Sequence, residues 1–172
     1  SMVERIFGTR NFVIVYLMAG IMGNVVSYLA GPNPGVGASG AVFGILGAFG
    51  VYLLLNRRLL GQMGRQQLTS ISVIVAINIV LGLATTGIDN AAHFGGLLAG
   101  GFVAWMIAPR QRLFAVDNPF NFGTARMALR SGSQPNSKLV LAIVVVAAVA
   151  VAITWFETQS YVMNILGQKI PG

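Results

Sequence analysis

The sequence predicts an all-α fold, a polytopic membrane bundle of five transmembrane helices. Hydrophobic residues make up 55% of its 172 residues and charged residues only 9%, whereas a soluble domain carries about 25% charged residues. The apolar residues fall into five stretches, each close to the roughly 20 residues that a helix needs to cross a bilayer. Basic residues lie almost entirely between alternate stretches. These observations exclude a soluble domain, and the high apolar content excludes a disordered chain.

The five predicted spans run over residues 11–30, 38–55, 68–86, 91–108 and 139–156. The first is too long for the apolar region of a signal peptide, and further spans follow it. The second and the fourth are rich in glycine, which favours close packing between membrane helices. The fifth has no glycine and six valines, so we expect it to be peripheral and exposed to lipid.

The basic residues predict how the chain is oriented in the membrane. If five helices alternate in direction, ten basic residues lie on one side and only Lys169 lies on the other. The ten are Arg5, Arg10, Arg57, Arg58, Arg65, Arg110, Arg112, Arg126, Arg130 and Lys138. The positive-inside rule then predicts a cytoplasmic N-terminus and a C-terminus outside the cell membrane. The net charge of +7 therefore reflects orientation, and we expect no nucleic-acid partner.

Composition shifts along the chain predict three parts. Residues 1–108 form a core of four helices, residues 109–138 form a basic cytoplasmic linker, and residues 139–172 form an extra C-terminal transmembrane helix with an outer tail. The linker contains three prolines and several Asn, Gly and Ser residues. We expect its arginines to lie against anionic headgroups, with a short interfacial helix over residues 122–129.

Little in the composition supports metal or thiol chemistry. The chain has no cysteine, one histidine and four acidic residues. Without cysteine it can form neither a disulfide nor a thiolate ligand, and one histidine with four scattered acids leaves almost no material for a metal site. We therefore expect neither a metal nor another cofactor.

Two side chains stand out as candidates for chemistry, Ser39 in the second span and His93 in the fourth. An ionisable residue inside a membrane span is costly to bury, so it is a functional candidate by default. Because one span separates the second from the fourth, these two run parallel. Ser39 and His93 then lie at a similar depth, within about one or two turns of the outer interface.

Glycine spacing predicts that these two spans also touch. Small residues recur along one stripe of each, namely Gly40, Gly44, Gly47 and Gly50 on the second span, and Gly96 and Gly100 on the fourth, in line with His93. Such stripes let membrane helices approach closely. If the stripes face each other, the Ser39 hydroxyl comes within hydrogen-bond reach of the His93 ring. A nucleophile beside a general base is the minimal arrangement for acyl transfer.

The start of the second span adds a candidate oxyanion site. The Gly- and Pro-rich residues 31–37 cannot form a regular helix, so the helix begins near Ala38. The first backbone N–H groups of a helix have no partner within it and can bind an anion. We expect the segment around Ser39, namely Gly37, Ala38 and Gly40, to stabilise an oxyanion, where one donor is typically worth about 3–4 kcal/mol.

Structural explanations for the same residues remain open. A serine near a helix start is most often an N-cap, a single membrane histidine is often only an interhelical hydrogen bonder, and glycine stripes serve packing by default. We read Asn24 and Asn78 as interhelical hydrogen bonders. Other polar residues, Asp89 and Asn90, precede the fourth span and are expected to cap it, and we do not expect Asp89 to orient His93.

Several motifs resemble those of the rhomboid intramembrane serine proteases. They are Gly37-Ala38-Ser39-Gly40, the aromatic Phe43 that follows it, Ala92-His93-Phe94-Gly95-Gly96 followed by Gly100, and Glu4-Arg5-Ile6-Phe7-Gly8, which is similar to a cytoplasmic turn of the family. The resemblance covers roughly residues 3–108. It implies that the first four spans correspond to the third to sixth core helices of the family, and that the fifth corresponds to an extra C-terminal helix.

The resemblance also implies roles for individual residues. Ser39 would be the nucleophile and His93 the base, acting as a dyad without a carboxylate. Phe43 would correspond to the aromatic residue that packs on the histidine ring, while the stripe glycines Gly44, Gly96 and Gly100 would bring the two helices together.

One departure from the family pattern is large. The first two core helices are absent, and the second of them normally supplies a His and an Asn to the oxyanion site. Together with the start at Ser1-Met2, this predicts a C-terminal fragment of a longer protein or one half of a split one. We expect the 172-residue chain by itself to have little or no proteolytic activity, with the missing N-terminal helices as a candidate partner.

The leading functional hypothesis is a serine endopeptidase that cleaves transmembrane protein substrates near the outer face of the lipid bilayer through a Ser-His dyad. One alternative is a non-catalytic, rhomboid-like binder of membrane helices, or an inactive fragment that needs its N-terminal helices. A transporter or channel subunit is a third class. It would need a polar path across the membrane, for which Asn24, Asn78 and His93 are too few and lie at different depths.

Overall fold

The structure, a computed structural model, describes residues 1–31, 38–116, 126–132 and 134–168. In chain order, its elements are α1 (Met2–Phe7), α2 (Thr9–Ala30), α3 (Ser39–Leu55), α4 (Arg57–Ala84), α5 (Asn90–Ile107), β1 (Arg110–Val116), β2 (Arg126–Gly132) and α6 (Asn136–Gln168). The predicted helical membrane bundle is confirmed. Helices α2, α4, α5 and α6 are long and apolar enough to cross a membrane, and α3 is a shorter apolar helix.

Helices α2, α3 and α5 form the core of the bundle, and α4 and α6 pack on its outside. Their most deeply buried side chains are small, namely Val15 and Ala19 on α2, Ala48 on α3, and Val103 and Ala104 on α5. Small side chains allow the helix backbones to approach closely, which is how helices gain packing energy in a lipid solvent.

Helix α6 has one buried stripe, along which Leu139, Ala142, Val146 and Ala150 face α2 and α5. Beyond this stripe the helix is exposed, and Trp155 is 66% accessible. The peripheral position predicted for this span is therefore confirmed. The helix continues to Gln168 rather than ending near residue 156, because no glycine or proline lies between Pro135 and Gly167.

Helix α4 begins at Arg57 rather than near residue 68, and it kinks at Gly61 (φ 51°, ψ −131°). The residues before the apolar stretch are mostly Arg, Leu, Gln and Met, which are good helix formers. The helix therefore starts well before the chain becomes apolar. The kink needs glycine, because other residues rarely adopt a positive φ.

A two-stranded antiparallel hairpin, β1 with β2, follows α5, and Arg112 pairs with Arg130 in its register. The interfacial helix expected over residues 122–129 is wrong for residues 126–129, which lie in β2; residues 122–125 lie outside the described residues. A short helix is costly to nucleate, whereas the hairpin pairs the facing backbone groups of its two strands.

The short helix α1 joins α2 through an elbow at Gly8, whose φ of 79° requires glycine. The Glu4 carboxylate accepts a hydrogen bond from the Thr9 hydroxyl across this elbow, at 3.0 Å. That bond and the N-terminal ammonium group lower the pKa of Glu4 below its usual value, because both favour the carboxylate. The turn expected at residues 4–8 is thus a capped helical turn followed by a glycine bend.

Candidate active site

Helix α3 begins at Ser39, and Ala38 occupies the N-cap position with no side-chain hydrogen bond. The structure therefore does not place Ser39 in the capping role that is commonest for a serine near a helix start. Its side chain is exposed. The first intrahelical bond in α3 runs from the Val42 N–H to the Ala38 carbonyl at 3.1 Å. The N–H groups that precede Val42 in the helix have no acceptor within it.

The length of α3 sets the depth of Ser39. The helix has 17 residues and is about 26 Å long at 1.5 Å per residue, which is less than the roughly 30 Å of bilayer hydrocarbon. Arg57 and Arg58 follow its other end and belong at a polar boundary. Ser39 and these arginines therefore lie at opposite ends of α3, about one helix length apart.

His93 lies in the first turn of α5 and is 6% exposed. The Phe43 ring stacks on its imidazole, with ring centroids 4.0 Å apart and an interplanar angle of 5°. Within the described residues, the buried Nδ1 of His93 has no hydrogen-bond partner. A buried polar atom without a partner is unusual and needs an explanation.

The starts of α3 and α5 are in direct backbone contact. A Cβ atom placed on Gly40 would lie 3.0 Å from the Ala92 carbonyl oxygen, and one placed on Gly96 would overlap the Gly40 carbonyl. One turn further on, a Cβ on Gly100 would overlap the Gly44 carbonyl. The glycine spacing predicts this contact, and the structure shows it. The immediate chain neighbours of Ser39 and His93 therefore touch each other.

Helix α2 completes this contact from a third side. A Cβ on Gly23 would lie 2.8 Å from the Ala92 carbonyl oxygen and 3.4 Å from the Gly40 Cα. One turn later on the same face, the buried Ser27 hydroxyl donates a hydrogen bond to the Asp89 carboxylate. Ser27 is not among the residues predicted above. The available signal was a small polar residue four positions after a glycine in an otherwise apolar helix.

Asp89 and Asn90 have different roles. The Asp89 carboxylate caps α5 by accepting from the Ala92 N–H at 2.9 Å, so the capping prediction is confirmed for Asp89. It is wrong for Asn90, whose Nδ2 donates to the Ile79 carbonyl of α4 at 3.1 Å. Asn90 lies inside the helix as its first residue, where its side chain can reach the neighbouring helix. Because His93 Nδ1 has no partner in the described residues, Asp89 does not orient it through that atom.

The two asparagines expected to act as interhelical hydrogen bonders do not join helices within the part of the chain that the structure describes. Asn78 donates from Nδ2 to the Ile74 carbonyl of its own helix at 2.8 Å, a local bond that competes with interhelical ones. Asn24 has an exposed side chain on α2. The expectation that both act as interhelical hydrogen bonders is therefore wrong for this part of the chain.

The two candidate catalytic residues lie on backbone segments that are in contact with each other. Among the described residues, no hydrogen bond joins the Ser39 hydroxyl to the His93 ring. Ala38 and Gly40 flank Ser39 at the start of α3, and Gly37 lies outside the described residues. Catalytic hydrogen bonds are often long in structures without substrate and shorten in the complex, so the dyad stays a prediction.

Comparisons with known proteins agree with this architecture. A family model described as the rhomboid domain matches residues 1–110. The chain is 46% identical over 103 residues to rhomboid protease GluP of Bacillus subtilis (strain 168), covering 59% of this chain and 20% of that protein. It is 33% identical over 154 residues to RHOMBOID-like protein 6, mitochondrial, of Arabidopsis thaliana, covering 87% and 49%. The chain thus spans between a fifth and a half of the length of these relatives. The comparison with solved structures found no match.

Proposed function

Since this chain belongs to the rhomboid family, we propose that it carries the catalytic dyad of an intramembrane serine endopeptidase. The enzyme cleaves transmembrane substrates near the outer face of the cell membrane, with Ser39 as nucleophile and His93 as base. The observation that supports this most directly is the glycine contact between α3 and α5, which brings the backbones on either side of the two residues together at one depth.

The proposed reaction assigns a step to each group. The Ser39 hydroxyl attacks the scissile carbonyl while His93 accepts its proton, and His93 then returns that proton to the leaving amine. Water from the outer side hydrolyses the acyl-enzyme. The free N–H groups at the start of α3, in the segment of Gly37, Ala38 and Gly40, stabilise the oxyanion, at about 3–4 kcal/mol per donor. Phe43 holds the imidazole plane through the stacking contact.

We also propose the orientation and the parts of the chain. The N-terminus is cytoplasmic and the C-terminus outside, because ten of the eleven basic residues then lie inside. Residues 1–108 form the catalytic core, residues 109–138 the basic linker and residues 139–172 the extra helix with its tail. The partners are the bilayer, transmembrane protein substrates and the N-terminal helices of a longer protein.

A second candidate function is that of a non-catalytic binder of membrane helices, or of an inactive fragment that needs further helices. Two observations favour it. Ser39 and His93 are not bonded to each other within the described residues, and the chain covers at most about half of the relatives named above.

Labelling with a fluorophosphonate probe separates these candidates, because the probe reacts only with an activated serine. The probe needs only the activated serine, so we expect labelling of the chain in detergent micelles even though little substrate cleavage is expected without the N-terminal helices. Ser39→Ala should abolish the labelling, and His93→Ala should lower its rate about 100-fold or more, as loss of a general base does. Ser70→Ala is the matched control, because the Ser70 hydroxyl bonds to its own helix at the Gln66 carbonyl. Equal labelling of the chain and of Ser39→Ala would refute the nucleophile. No labelling of either would favour the second candidate.

A further inference from the structure

A basic pocket lies at the end of the bundle opposite Ser39. It has a volume of about 360 Å³ and is lined by Arg57, Arg58 and Arg65 together with Leu53, Leu54, Gly64 and Leu68. The three arginine side chains are exposed, and no acidic residue lines the pocket. The kink at Gly61 lies between the first two arginines and the third.

An apolar groove continues from the basic pocket into the membrane-spanning part of the bundle. It has a volume of about 680 Å³, runs between α3, α4 and α5, and shares Leu54 and Leu68 with the pocket. Its lining is almost entirely hydrocarbon, with Ser72 as the one hydroxyl side chain among the lining residues, and Trp105 lies along it.

The groove exists because α4 stands away from the bundle. Only Gly64 and Ile71 of this helix are buried, and the facing helices carry glycines there. A Cβ on Gly50 would find its nearest neighbour, the Leu68 Cδ1, at 3.9 Å, so the space beside it is open. Water is excluded from such a groove at membrane depth, so an acyl chain is the natural occupant.

We propose that the basic pocket and the apolar groove together bind one anionic phospholipid. The headgroup phosphate bonds to Arg57, Arg58 and Arg65, and an acyl chain lies in the groove between α4 and the α3–α5 pair. Arginine pairs with phosphate through two parallel hydrogen bonds, and basic pockets between membrane helices at the cytoplasmic surface bind such headgroups. Binding at this site does not depend on the proposed peptidase activity.

A phospholipid fits these features better than a free phosphate does. Exposed arginines in water hold a small anion weakly, because the solvent screens the charges. A phospholipid adds an apolar chain at the point where the charged pocket opens into hydrocarbon, so one molecule satisfies both parts of the cavity. The boundary between pocket and groove, at Leu54 and Leu68, then marks the boundary between headgroup and chain.

Fluorescence quenching of Trp105 tests the site directly. The chain carrying Trp155→Phe has Trp105 as its one tryptophan and is placed in nanodiscs of phosphatidylcholine. In one sample a fixed fraction of the lipid is brominated phosphatidylglycerol, and in the other the same fraction is brominated phosphatidylcholine. Both lipids carry the bromine on the acyl chain near the headgroup. We expect stronger quenching by the brominated phosphatidylglycerol, with a preference of about fivefold for each arginine that contacts the headgroup.

Matched variants show which residues cause the preference for phosphatidylglycerol. Replacing Arg57, Arg58 and Arg65 by Gln should remove it. The control triple of Arg5→Gln, Arg10→Gln and Arg110→Gln should keep it, because these exposed arginines carry the same charge at the same end of the bundle. Gly50→Leu, which fills the groove, should lower the preference with all arginines intact. Circular dichroism confirms that each variant keeps its helices.

Four results would overturn the proposal. Equal quenching by the two brominated lipids would remove the anionic preference, and equal loss in both arginine triples would assign it to diffuse surface charge. Loss of the preference on addition of inorganic phosphate would assign the pocket to a free anion. An unchanged preference in Gly50→Leu would exclude the groove as the binding place of the acyl chain.

Discussion

At the scale of single residues, the candidate site depends on how His93 is held in place. Phe43 stacks on one face of its ring, and its buried Nδ1 has no partner within the described residues. The backbone that carries it is fixed from outside the site, because the Asp89 carboxylate joins the start of α5 to Ser27 of α2. The Asp89 carboxylate thus both caps α5 and accepts an interhelical hydrogen bond, one turn before His93.

Replacing Asp89 tests whether these hydrogen bonds to its carboxylate stabilise the bundle. We expect Asp89→Ala to lower the free energy of unfolding by about 1–3 kcal/mol, because it removes a helix cap and the acceptor of a buried hydroxyl. Asp89→Asn keeps a capping oxygen and should lose less than half as much. Thermal or denaturant unfolding in detergent micelles, followed by circular dichroism, measures both. An Asp89→Ala variant as stable as the unsubstituted chain would contradict the role assigned to this carboxylate.

At the scale of elements, the contact between α3 and α5 organises the bundle. Three pairs of facing backbone segments approach so closely that side chains are excluded, at Gly40 with Gly96, at Gly44 with Gly100, and at Gly47 with the Leu97 carbonyl. Lipid offers no hydrophobic force between helices, so they associate mainly through close packing. Small residues at the contact allow that close packing, because a larger side chain would hold the two helices apart. The candidate dyad sits at one end of this contact and depends on it.

Two neighbouring glycines of α5 offer a matched test. Gly100→Ala should lower the free energy of unfolding by about 1–3 kcal/mol, since its methyl group would overlap the Gly44 carbonyl and overpack the interface. Gly101→Ala should be neutral or slightly stabilising. Its methyl group would meet Val51 Cγ2 at an ordinary 3.5 Å, and alanine favours the helix by about 0.5–1 kcal/mol. Unfolding in micelles compares the two, and equal effects would argue against a close α3–α5 contact.

At the scale of the whole molecule, the chain separates its charges by side. The arginines lie in three segments, around the start of α2 and beyond the ends of α3 and α5. All three segments are at the end of the bundle opposite Ser39. The candidate dyad and the proposed lipid site therefore lie at opposite ends of the bundle.

Single cysteines test this orientation without interference, because the chain has no cysteine of its own. We expect Thr86→Cys, in the turn between α4 and α5, to react with a membrane-impermeant maleimide added to intact cells. Gln62→Cys, near the start of α4, should react only after the cells are permeabilised. Both positions are exposed, so accessibility on the protein is matched. The opposite labelling pattern would reverse the proposed topology.

Helix bounds were predicted accurately where local residues end both the apolar stretch and the helix. The bounds of α2, α3 and α5 lie within about two residues of the predicted spans, since glycine, proline and polar residues end both the apolar stretch and the helix there. The bounds of α4 and α6 were missed. Their polar flanks consist of good helix formers, so the helix outlasts the apolar stretch that hydropathy detects.

The candidate site was predictable where it depends on repeating patterns. The glycine stripes and the parallel direction of two spans were enough to predict that α3 and α5 touch near Ser39 and His93. Ser27 was missed, because its bond to Asp89 joins residues 62 positions apart. No local pattern shows which face of α2 turns toward the start of α5.

The amino-acid sequence alone determined the class of this protein and the approximate places of its apolar helices, since transfer into lipid is a sum over contiguous residues and can be read along the chain. Only the tertiary structure decided that Asp89 joins α2 to α5 and that α4 stands off to leave a groove that opens beside three arginines. These features depend on the rotation and tilt of each helix. Packing against all of its neighbours at once sets both of these, so no single segment encodes them.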